Sequence, residues 1–568
     1  MTNIVSRWRI SDPPDSDVVE RLSAELDVPR VLASLLAQRG YHTSDSAKRF
    51  LRPSLDSLHN PFLLRDMDRA VEIISRAVAS GESILIHGDY DVDGQCATAL
   101  LTRTLTLAGA KVFPFVPHRL RDGYDFGPAG IAEAQRVGAS TIITCDCGIT
   151  AHKAVAAARK AGFRVIVTDH HLPIELPDAD AVVNPMRQDC EYPCKDLCGT
   201  GVAFKLAQAL MGELSVPENS QYHFLDLIAL ATVADIVPLR DENRVMVHHG
   251  LKLLARSRWP GIRALLQSAG VTGNSVTAGQ VGFIVAPRLN AVGRIADAKA
   301  GLELLLTDNE REAAIGAEKL ERLNTERQTI DQRTLEQAIQ MVDDEVDLSS
   351  EYGIVLADEE WHPGVIGIVA SRLVERYVRP VVLIALDGEE GKGSGRSISA
   401  FDLYGALSQC GELLDRFGGH RMAAGLSVKR DLIDRLRERF VAIAGRELTE
   451  EDLVRTPHVD LLVSLREADD TLERLLRHMQ PCGTGNATPV LGVTGVHALG
   501  QRTLSGRHLK FVLEDGSNRL QAIGFNWADR MPEGVLGGAI DVAFHLDRNE
   551  WRGRSELQAK IVDIVAAA

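Results

Sequence analysis

Acidic and imidazole side chains are concentrated in two short runs of this sequence. The first run, HGDYDVDG, occupies residues 87–94, and the second, TDHHLP, occupies residues 168–173. Carboxylate oxygens and imidazole nitrogens are ligands that suit Mn²⁺ and Mg²⁺. Acids this closely spaced repel one another in a crevice unless cations offset their charge. We therefore predict a two-metal site suited to phosphoryl transfer.

The first run follows a predicted strand. Residues 83–86 are a short apolar stretch, and a helix-forming stretch begins at Ala97, so the acids lie in a strand-to-helix turn. In a doubly wound sheet this crevice is where ligands bind. Asp91 and Asp93 point to the same side of an extended segment, and Gly94 lets the backbone turn behind them. His87 is close enough along the chain to join them.

Further acids follow other predicted elements. The strand-like run 140–144 leads to Asp146, the run 163–168 leads to the second acidic run, and an apolar helix ends at Asp235. Alanine-rich helical segments separate the strands, so β-α-β alternation predicts a parallel sheet with these acids along one edge. An unpaired acid at the end of an apolar helix is costly to bury, which makes Asp235 another predicted ligand.

A calcium loop is the alternative interpretation of the first run, because D-x-D-x-D-G resembles the beginning of an EF-hand loop. An EF-hand requires a glutamate at the twelfth loop position and flanking helices. Counted from Asp89, that position is Leu100, and a strand precedes the loop. An ordinary acidic turn is the other alternative.

The motifs HGDYDVDG, TCDCG, TDHHLP and ATVADIVP occur in the order and strand-end context typical of the DHH phosphoesterase superfamily, which this chain resembles. APRLNAVGR at 286–294 and FGGHRMAAG at 417–425 resemble two further signatures, the second from the associated DHHA1 domain. With these motifs, nearly the whole chain is similar to the RecJ family of single-stranded-DNA-specific exonucleases.

The resemblance implies two divalent ions, Mn²⁺ or Mg²⁺. One ion would be held by His87, Asp91 and Asp146. The other would be held by Asp93, Asp146, His170 and Asp235. Asp146 would then bridge the pair, and Asp169 would orient His170. Asp89 is expected outside the ligand set, and His171 is expected to contact the scissile phosphate.

Phosphate recognition needs cations that do not bind metal. Arg288 and Arg294 lie in an otherwise apolar or small segment, and their guanidinium groups suit phosphate oxygens, although internal salt bridges are the alternative. Residues 391–397 read as a glycine-rich turn whose exposed amides would hold a phosphate with Ser394 and Arg396. The resemblance implies a 5′-phosphate pocket, which would contain Arg119, Arg288, Ser394 and Arg396. It also implies that Tyr124 stacks on a base, and His420 lies where a phosphate could approach.

Composition limits the remaining possibilities. The 568 residues carry a formal net charge of -15, which argues against indiscriminate coating of nucleic acid but allows a local basic channel. No apolar run is long enough to span a bilayer and no hydrophobic signal region begins the chain, so we predict a cytoplasmic protein without membrane contact. Cys190, Cys194 and Cys198 are spaced by four, which invites a zinc or iron-sulfur interpretation, but their spacing matches no standard ligand pattern.

The predicted fold class is α/β and multidomain. The predicted segments are a loosely attached N-terminal helical segment (1–60), a parallel-sheet DHH catalytic domain (61–305), a connecting helix (306–348), an α/β DHHA1 domain (349–452) and a C-terminal β-barrel of OB type that binds nucleic acid (453–568). The barrel prediction depends on alternating apolar runs separated by turns. A spacer helix is favoured over a coiled-coil helix for 306–348 because the heptad pattern is not sustained.

The resemblance implies 5′-to-3′ exonucleolytic release of mononucleotides from single-stranded DNA, in DNA repair and recombination. The resemblance implies single-stranded DNA as substrate, a monomeric enzyme, and a single-stranded-DNA-binding protein and a helicase as candidate partners. One alternative is a DHH phosphoesterase acting on short oligonucleotides or cyclic dinucleotides, which would not need the barrel. A second alternative is an inert strand-binding scaffold, which would not need the acids.

Overall fold

The computed structural model describes residues 8–119, 121–214, 216–217, 219–528, 530, 538–551 and 554–567. The chain forms two compact units. The first unit consists of Pro53–Arg327 and Gln480–Ala487, and the second of Gln328–Met479, Thr488–Ala568 and the segment that ends at Arg52. The buried apolar residues of the two units belong to separate clusters.

The N-terminal part of the second unit is helical. It comprises β1 (Arg9–Ile10), α1 (Ser16–Leu26), α2 (Arg30–Gln38) and α3 (Ser44–Leu51). Apolar residues of the three helices, including Leu22, Leu36 and Phe50, share one core with the C-terminal strands of the same unit. Gln38 Nε2 donates to the carbonyl of Asp460, 422 positions away. The prediction of a loosely attached segment is therefore wrong, because its apolar partners are remote in sequence.

The first unit contains a five-stranded parallel sheet. Its strands are β2 (Ser83–Gly88), β3 (Lys111–Phe115), β4 (Ala139–Cys145), β5 (Arg164–Thr168) and β6 (Ala181–Val183). They are ordered β3-β2-β4-β5-β6. Strands β2, β4 and β5 are apolar and buried along most of their length, as expected where helices cover both faces of a sheet.

Helices account for most of the remaining first unit. They are α4 (Met67–Ala79), α5 (Val92–Leu107), α6 (Pro128–Arg136), α7 (His152–Lys160), α8 (Gly199–Glu213), α9 (Leu225–Ala234), α10 (Asp241–Leu254), α11 (Pro260–Ser268), α12 (Ala278–Gln280), α13 (Ala286–Ile295) and α14 (Lys299–Leu306). A π-helical turn, Val281–Val285, joins α12 to α13. Short 3-10 helices occupy Leu55–Ser57, Pro61–Leu63 and Ser220–Phe224. Helix α9 is apolar almost all round, and its buried position in the main core agrees with that composition.

The long helix α15 (Glu310–Glu345) leads to a mixed five-stranded sheet in the second unit. The elements are β7 (Ile354–Asp358), α16 (Ile366–Tyr377), β8 (Val381–Asp387), β9 (Glu390–Arg396), α17 (Leu403–Gln409), β10 (Arg416–His420), β11 (Ala423–Lys429) and α18 (Ile433–Glu447). Short 3-10 helices lie at Gly411–Leu413, Arg430–Leu432 and Glu450–Leu453. The strand order is β10-β11-β9-β8-β7, and only β7 and β8 are parallel.

The C-terminal part of the second unit is a closed barrel. Its elements are β12 (His458–Val459), β13 (Leu461–Leu462), α19 (Asp470–Leu476), a 3-10 helix (Arg477–Met479), β14 (Leu491–Leu504), β15 (His508–Asp515), β16 (Asn518–Gly524), β17 (Ala539–Trp551) and β18 (Arg554–Ala566). Pairing runs β14-β15-β16-β18-β17 and returns from β17 to β14. The predicted fold class, with its parallel sheet, long helix, second α/β layer and barrel, is confirmed. No described helix combines the length and the apolar character needed to cross a membrane.

Candidate metal centre

The acidic motifs meet at one edge of the parallel sheet. His87 of β2 lies opposite Thr144 of β4, and Cys145 of β4 lies opposite Thr168 of β5, so the three strands end at the same level. Because β2, β4 and β5 are adjacent and parallel, the residues that follow them converge. Asp235 reaches the same place from the C-terminal end of α9.

His170 lies among three carboxylates that come from three different motifs. Its Nε2 atom is 3.1 Å from Asp146 Oδ1, 3.6 Å from Asp235 Oδ2 and 3.9 Å from Asp93 Oδ2. Potential ligand atoms of Asp93, His170 and Asp235 all lie within 4.8 Å of one another. These distances leave a space that a divalent cation with oxygen and nitrogen ligands fits.

A second cluster adjoins the first. Asp89, Asp91 and Asp146 also offer ligand atoms within 4.8 Å of one another. Asp146 belongs to this group and to a further group with His170 and His171. The structure therefore gives Asp146 the position between two sets of ligand atoms that a bridging carboxylate requires.

Several polar atoms of the clusters are buried without a hydrogen bond. Asp89 Oδ1, Asp146 Oδ1 and His170 Nε2 are among them. Burial and repulsion from neighbouring acids raise the pKa of Asp146 well above its usual value, and the same causes raise the pKa of Asp235 to about 9. Divalent cations would supply partners for the orphaned atoms and offset the repulsion, so the donor set fits a pair of Mn²⁺ or Mg²⁺ ions.

His87 does not join these clusters. Its ring is buried between Phe115 and Phe126, with both ring centroids 5.2 Å away, and its Nδ1 atom is 3.6 Å from Cys147 Sγ. Burial lowers the pKa of His87 to about 4, so the ring is neutral, and its Nε2 atom has no hydrogen bond. Asp89, which was expected outside the ligand set, lies in one group of potential ligand atoms with Asp91 and Asp146.

Two helix N-termini hold the acids in place. Asp91 caps α5, because its Oδ1 atom accepts from the backbone N–H groups of Asp93 and Gly94 at 2.9 and 3.1 Å. Asp93 accepts from the N–H groups of Gly199 and Thr200 at 2.6 and 2.7 Å, where α8 begins. The backbone N–H groups at both helix ends therefore fix the orientation of the two carboxylates.

Glycine is required where the backbone approaches the acids most closely. A Cβ at Gly94 would lie 2.4 Å from the backbone nitrogen of Asp89, and one at Gly199 would lie 2.4 Å from Asp146 Cβ. Neither glycine has a positive φ angle, so space and not backbone conformation explains them. The GTG sequence at 199–201 is thus part of the site, a role that the sequence analysis missed; a glycine run beginning a helix was the available signal.

His171 is oriented by Asp169. Its Nδ1 atom is 2.7 Å from Asp169 Oδ1, and Asp169 Oδ2 accepts from the N–H of Ile149 at 3.0 Å. Burial alone would lower the pKa of His171, but the Asp169 carboxylate outweighs it and raises this pKa to about 9. The expectation that the Asp169 side chain orients the ring of His170 is wrong; it bonds only to the backbone N–H of that residue. His171 is therefore a cation beside the acids.

An aromatic and cationic surface adjoins His171. Tyr124 OH is 3.3 Å from His171 Nε2, and the Tyr124 ring packs edge-on to Tyr90 at 6.2 Å. The Arg119 guanidinium lies 5.1 Å from the centre of the Tyr90 ring. Burial raises the pKa of Tyr90 to about 12, and the charges of Arg119 and Arg294 oppose that rise. Of the four arginines predicted to bind phosphate, Arg119 therefore lies beside the Tyr90 ring, and Arg294 is near enough for its charge to act on Tyr90.

Arg288 is engaged inside the protein. Its Nε atom bonds Glu321 Oε2 at 2.5 Å, its NH2 group bonds Glu321 Oε1 at 3.2 Å, and its NH1 group donates to the carbonyl of Ile284. The alternative of an internal salt bridge therefore describes Arg288 in this structure. The arginine supports the π-helical turn that Ile284 belongs to.

The predicted glycine-rich turn at 391–397 is a strand. Strand β9 pairs with β8 on one side and with β11 on the other, so its amides are used in the sheet. Cβ atoms at Gly391, Gly393 and Gly395 would lie 2.6–2.9 Å from side chains that pack on them. Those side chains belong to Ile384, Leu426 and Leu403. The predicted nest of exposed amides is wrong, because these glycines make room for apolar side chains.

Two polar side chains of β9 remain available to an anion. Arg396 NH1 lies 3.1 Å from Ser394 Oγ, and both side chains approach Gly367 in the first turn of α16. Burial lowers the pKa of the Arg396 guanidinium without removing its charge. His420 is exposed on the edge strand β10. Cys190, Cys194 and Cys198 are buried thiols that belong to none of the metal-type clusters found among the described residues.

Three family models match the chain. They are the DHH family, N-terminal domain, at residues 83–232, the DHHA1 domain at 350–445 and the RecJ OB domain at 459–563. The single-stranded-DNA-specific exonuclease RecJ of Bacillus subtilis (strain 168) is 39% identical to this chain, over 98% of the chain and 70% of the relative. The RecJ of Thermus thermophilus is 36% identical, over 98% of the chain and 78% of the relative.

Solved structures show similarity to the same family. The crystal structure of RecJ in complex with Mn²⁺ from Thermus thermophilus superposes with a TM-score of 0.85 at 33% identity, covering 99% of this chain and 80% of that chain. The corresponding Mg²⁺ complex superposes with a TM-score of 0.79 at 32% identity, covering 98% of this chain and 78% of that chain. The similarity thus extends over the parallel-sheet domain, the second α/β layer and the barrel.

Proposed function

Because the chain belongs to the RecJ family of single-stranded-DNA-specific exonucleases, we propose that it hydrolyses single-stranded DNA from the 5′ end and releases mononucleotides. The observation that carries this proposal is the convergence of acids and two imidazoles from four sequence motifs at one sheet edge. An inert scaffold would have no use for buried, unpartnered carboxylates at that position. A small-substrate phosphoesterase would have no use for the closed barrel.

Two divalent ions, Mn²⁺ or Mg²⁺, are the proposed cofactors. The proposed ligands are His87, Asp91, Asp93, Asp146, His170 and Asp235. The Nε2 atom of His87 is buried without a hydrogen bond, and Asp89 is a further candidate because it groups with Asp91 and Asp146. When bound, the ions supply a water of lowered pKa and offset charge on the attacking and leaving oxygens. Backbone N–H groups at the N-termini of α5 and α8 orient the carboxylates of Asp91 and Asp93.

The chain's own cations receive the phosphodiester in this proposal. Protonated His171, held by Asp169, donates from Nε2 to a non-bridging oxygen of the scissile phosphate. Arg119 and Arg294 attract the flanking phosphates, and the exposed ring of Tyr124 stacks on a base. In the second unit, Ser394, Arg396 and His420 are proposed phosphate contacts.

Digestion of end-labelled oligonucleotides tests the activity, its direction and its cofactor. We expect mononucleotides to be released from the 5′ end of single strands when Mn²⁺ or Mg²⁺ is present, and faster when that end carries a phosphate. Blunt duplexes of the same sequence should remain intact, because the bases of a duplex are paired and stacked and cannot be contacted by the protein. Sequential loss of a 3′ label, or internal cleavage of a circular single strand, would contradict the proposal.

The barrel carries one exposed aromatic side chain among its described aromatics. Phe511, Trp527 and Phe544 are buried, whereas Phe525 is 46% exposed. The side chain of Trp551 lies outside the described residues. Phe525 is flanked by Lys560 Nζ, 5.6 Å from the ring centre, and by the His508 ring at 5.3 Å. An aromatic face beside a cation suits a base and its phosphate, so we propose that this site holds the incoming strand.

Replacing Phe525 by alanine is expected to raise the KM for a long single strand about ten-fold and to leave kcat unchanged, because a stacked base contributes roughly 1–3 kcal/mol. Steady-state kinetics on a long oligonucleotide and on a tetranucleotide would measure this, and the tetranucleotide should be unaffected. Phe62→Ala is the matched control, since Phe62 is 48% exposed in the first unit. Equal effects of the two substitutions would remove the barrel site from the proposal.

The biological setting follows from the substrate. We propose that the protein acts as a monomer on chromosomal DNA in the cytoplasm, in repair and recombination. An enzyme restricted to unpaired DNA needs a helicase to expose its substrate. A single-stranded-DNA-binding protein is the other proposed partner, because it keeps that substrate unpaired.

A further inference from the structure

Ile236, the residue after Asp235, is unusual both in its backbone conformation and in the exposure of its side chain. Its φ angle is +60°, in the left-handed region that glycine and asparagine tolerate and β-branched residues avoid. Its side chain is nevertheless 69% exposed, so burial does not explain an isoleucine there. The N–H of Ile236 bonds to the carbonyl of Val233 at 3.3 Å, which places it just past the end of α9, where glycine is usual.

A second exposed apolar side chain lies on irregular backbone beside the same helix end. Phe283 is 88% exposed and belongs to the π-helical turn Val281–Val285. A Cβ at Gly282 would lie 3.6 Å from Val233 Cγ1, so the turn packs against the last turn of α9. Arg288 NH1 donates to the carbonyl of Ile284 in the same turn and holds it. Isolated π-helical turns are rare and frequently occur at functional sites.

Both side chains belong to backbone that adjoins the end of α9, where the proposed metal ligand Asp235 lies. Asp235 Oδ2 is 3.6 Å from His170 Nε2, and Ile236 is the next residue along the chain. We call Ile236, Phe283 and the partly exposed Ile284 the apolar rim. Stability does not explain two departures from regular backbone at one helix end, each with an exposed apolar side chain, and a contact with a ligand does.

We propose that the apolar rim receives the unpaired nucleobase next to the scissile phosphate, and so determines the preference for single strands. This inference rests on the proposed function. A ligand whose phosphate lies at an acid and imidazole cluster has its charged part there, so the apolar surface beside that cluster meets the flat face of a base. In a duplex that face is covered by stacking on its neighbours, whereas in a single strand it can be exposed.

The substitution Ile236→Gly separates this role from a structural one. Glycine relieves the positive φ angle, so the melting temperature of the metal-free protein should stay unchanged or rise by roughly 2 °C. The affinity for a fluorescein-labelled single strand, measured by anisotropy in EDTA so that no turnover occurs, should fall about five-fold. The KM for the same strand in Mn²⁺ should rise similarly, and Phe283→Ala should have the same direction of effect. Val378→Gly is the matched control, because Val378 is also β-branched and has a φ of +53° at the end of α16.

Oligonucleotides with an abasic site at the 5′-terminal or the adjacent position identify the contacted group. The wild-type protein should bind one of the two abasic strands, the one that lacks the base at the apolar rim, about five-fold more weakly than the normal strand. Ile236→Gly should bind that abasic strand and the normal strand equally. The inference is overturned if Ile236→Gly and Phe283→Ala bind and cleave normal strands like the wild type, or if they lose affinity for abasic strands by the same factor as for normal strands. Failure of the wild-type protein to degrade any DNA would instead refute the proposed function.

Discussion

Replacing Asp146 by asparagine is expected to lower kcat on single-stranded DNA by about a thousand-fold or more, the scale of losing a group that acts directly on the transition state. Asp146 belongs both to the group with Asp89 and Asp91 and to the group with His170 and His171. Asparagine keeps the shape of the side chain but removes the charge that a bridging ligand must supply. It also tolerates the φ angle of +61° at this position, so the backbone should not change.

The same substitution should stabilise the metal-free protein. Burial and repulsion from other acids raise the pKa of Asp146, so its ionised form is unfavourable in the folded state and a neutral amide relieves that cost. Differential scanning fluorimetry in EDTA should therefore show a higher melting temperature for Asp146→Asn, and Mn²⁺ should raise it less than in the wild type.

Asp226→Asn provides the matched control. Asp226 is an equally buried acid of the first unit, but its Oδ2 atom accepts from Ser257 Oγ at 2.6 Å and it lies outside the metal-type clusters found among the described residues. This substitution should reduce stability and leave kcat intact. A fully active Asp146→Asn enzyme would refute the assignment of the metal centre.

Removing divalent metal should abolish hydrolysis and should make the folded protein less stable as pH rises. Activity in excess EDTA is expected to fall below about one thousandth of its value and to return with Mn²⁺ or Mg²⁺. Without metal, stability should decrease as pH rises from about 6.5 to 9. The folded-state pKa of Asp235 is raised to about 9, mainly by burial, so the folded chain keeps a proton that the unfolded chain releases.

His171 contributes in the same direction. Its pKa is raised to about 9, so the stability from its bond to Asp169 is fully present below its unfolded pKa and is lost as pH rises through 9. Metal ligation requires ionised carboxylates, so the stabilisation by metal should grow over the same pH range.

Melting temperatures at pH 6.5, 7.5 and 9, each in EDTA and in Mn²⁺, would measure both effects. Proton release on titration with Mn²⁺ would provide an independent measurement, because ligation displaces the protons that the raised pKa values retain. A metal-induced stabilisation that is constant over this range would contradict the ligation of these carboxylates. Asp226→Asn should preserve the dependence on metal.

Part of the proposed ligand set could be predicted from the local sequence. Strand ends in a parallel sheet predict that the acids after β2 meet Asp146 and His170. The expectation that Asp91 and Asp93 lie on an extended segment is wrong, because α5 begins at Val92 and Asp91 caps it. The packing of the His87 ring does not follow from spacing. It depends on Phe115, Phe126 and a glycine at position 130, where a Cβ would lie 2.4 Å from the His87 ring.

Two other differences between the sequence predictions and the structure also depend on contacts that spacing does not reveal. Residues 391–397 alternate glycine with polar residues, which is typical of a loop when their neighbours are unknown, yet they form a central strand because Ile384 and Leu426 fill the space above the glycines. The N-terminal helices look independent in sequence, yet their apolar faces complete the core of a barrel formed from the other end of the chain.

The sequence alone determined the order of α and β elements, the sheet edge at which the acids collect and the class of metal that they suit, because hydrophobic period, turn residues and ligand chemistry are local properties. Only the tertiary structure decided that Asp89 lies in the acid cluster, that Asp169 orients His171 and that Ile236 is exposed at a positive φ angle. These outcomes depend on contacts between residues remote in sequence, and packing and burial at such contacts outweigh local preference.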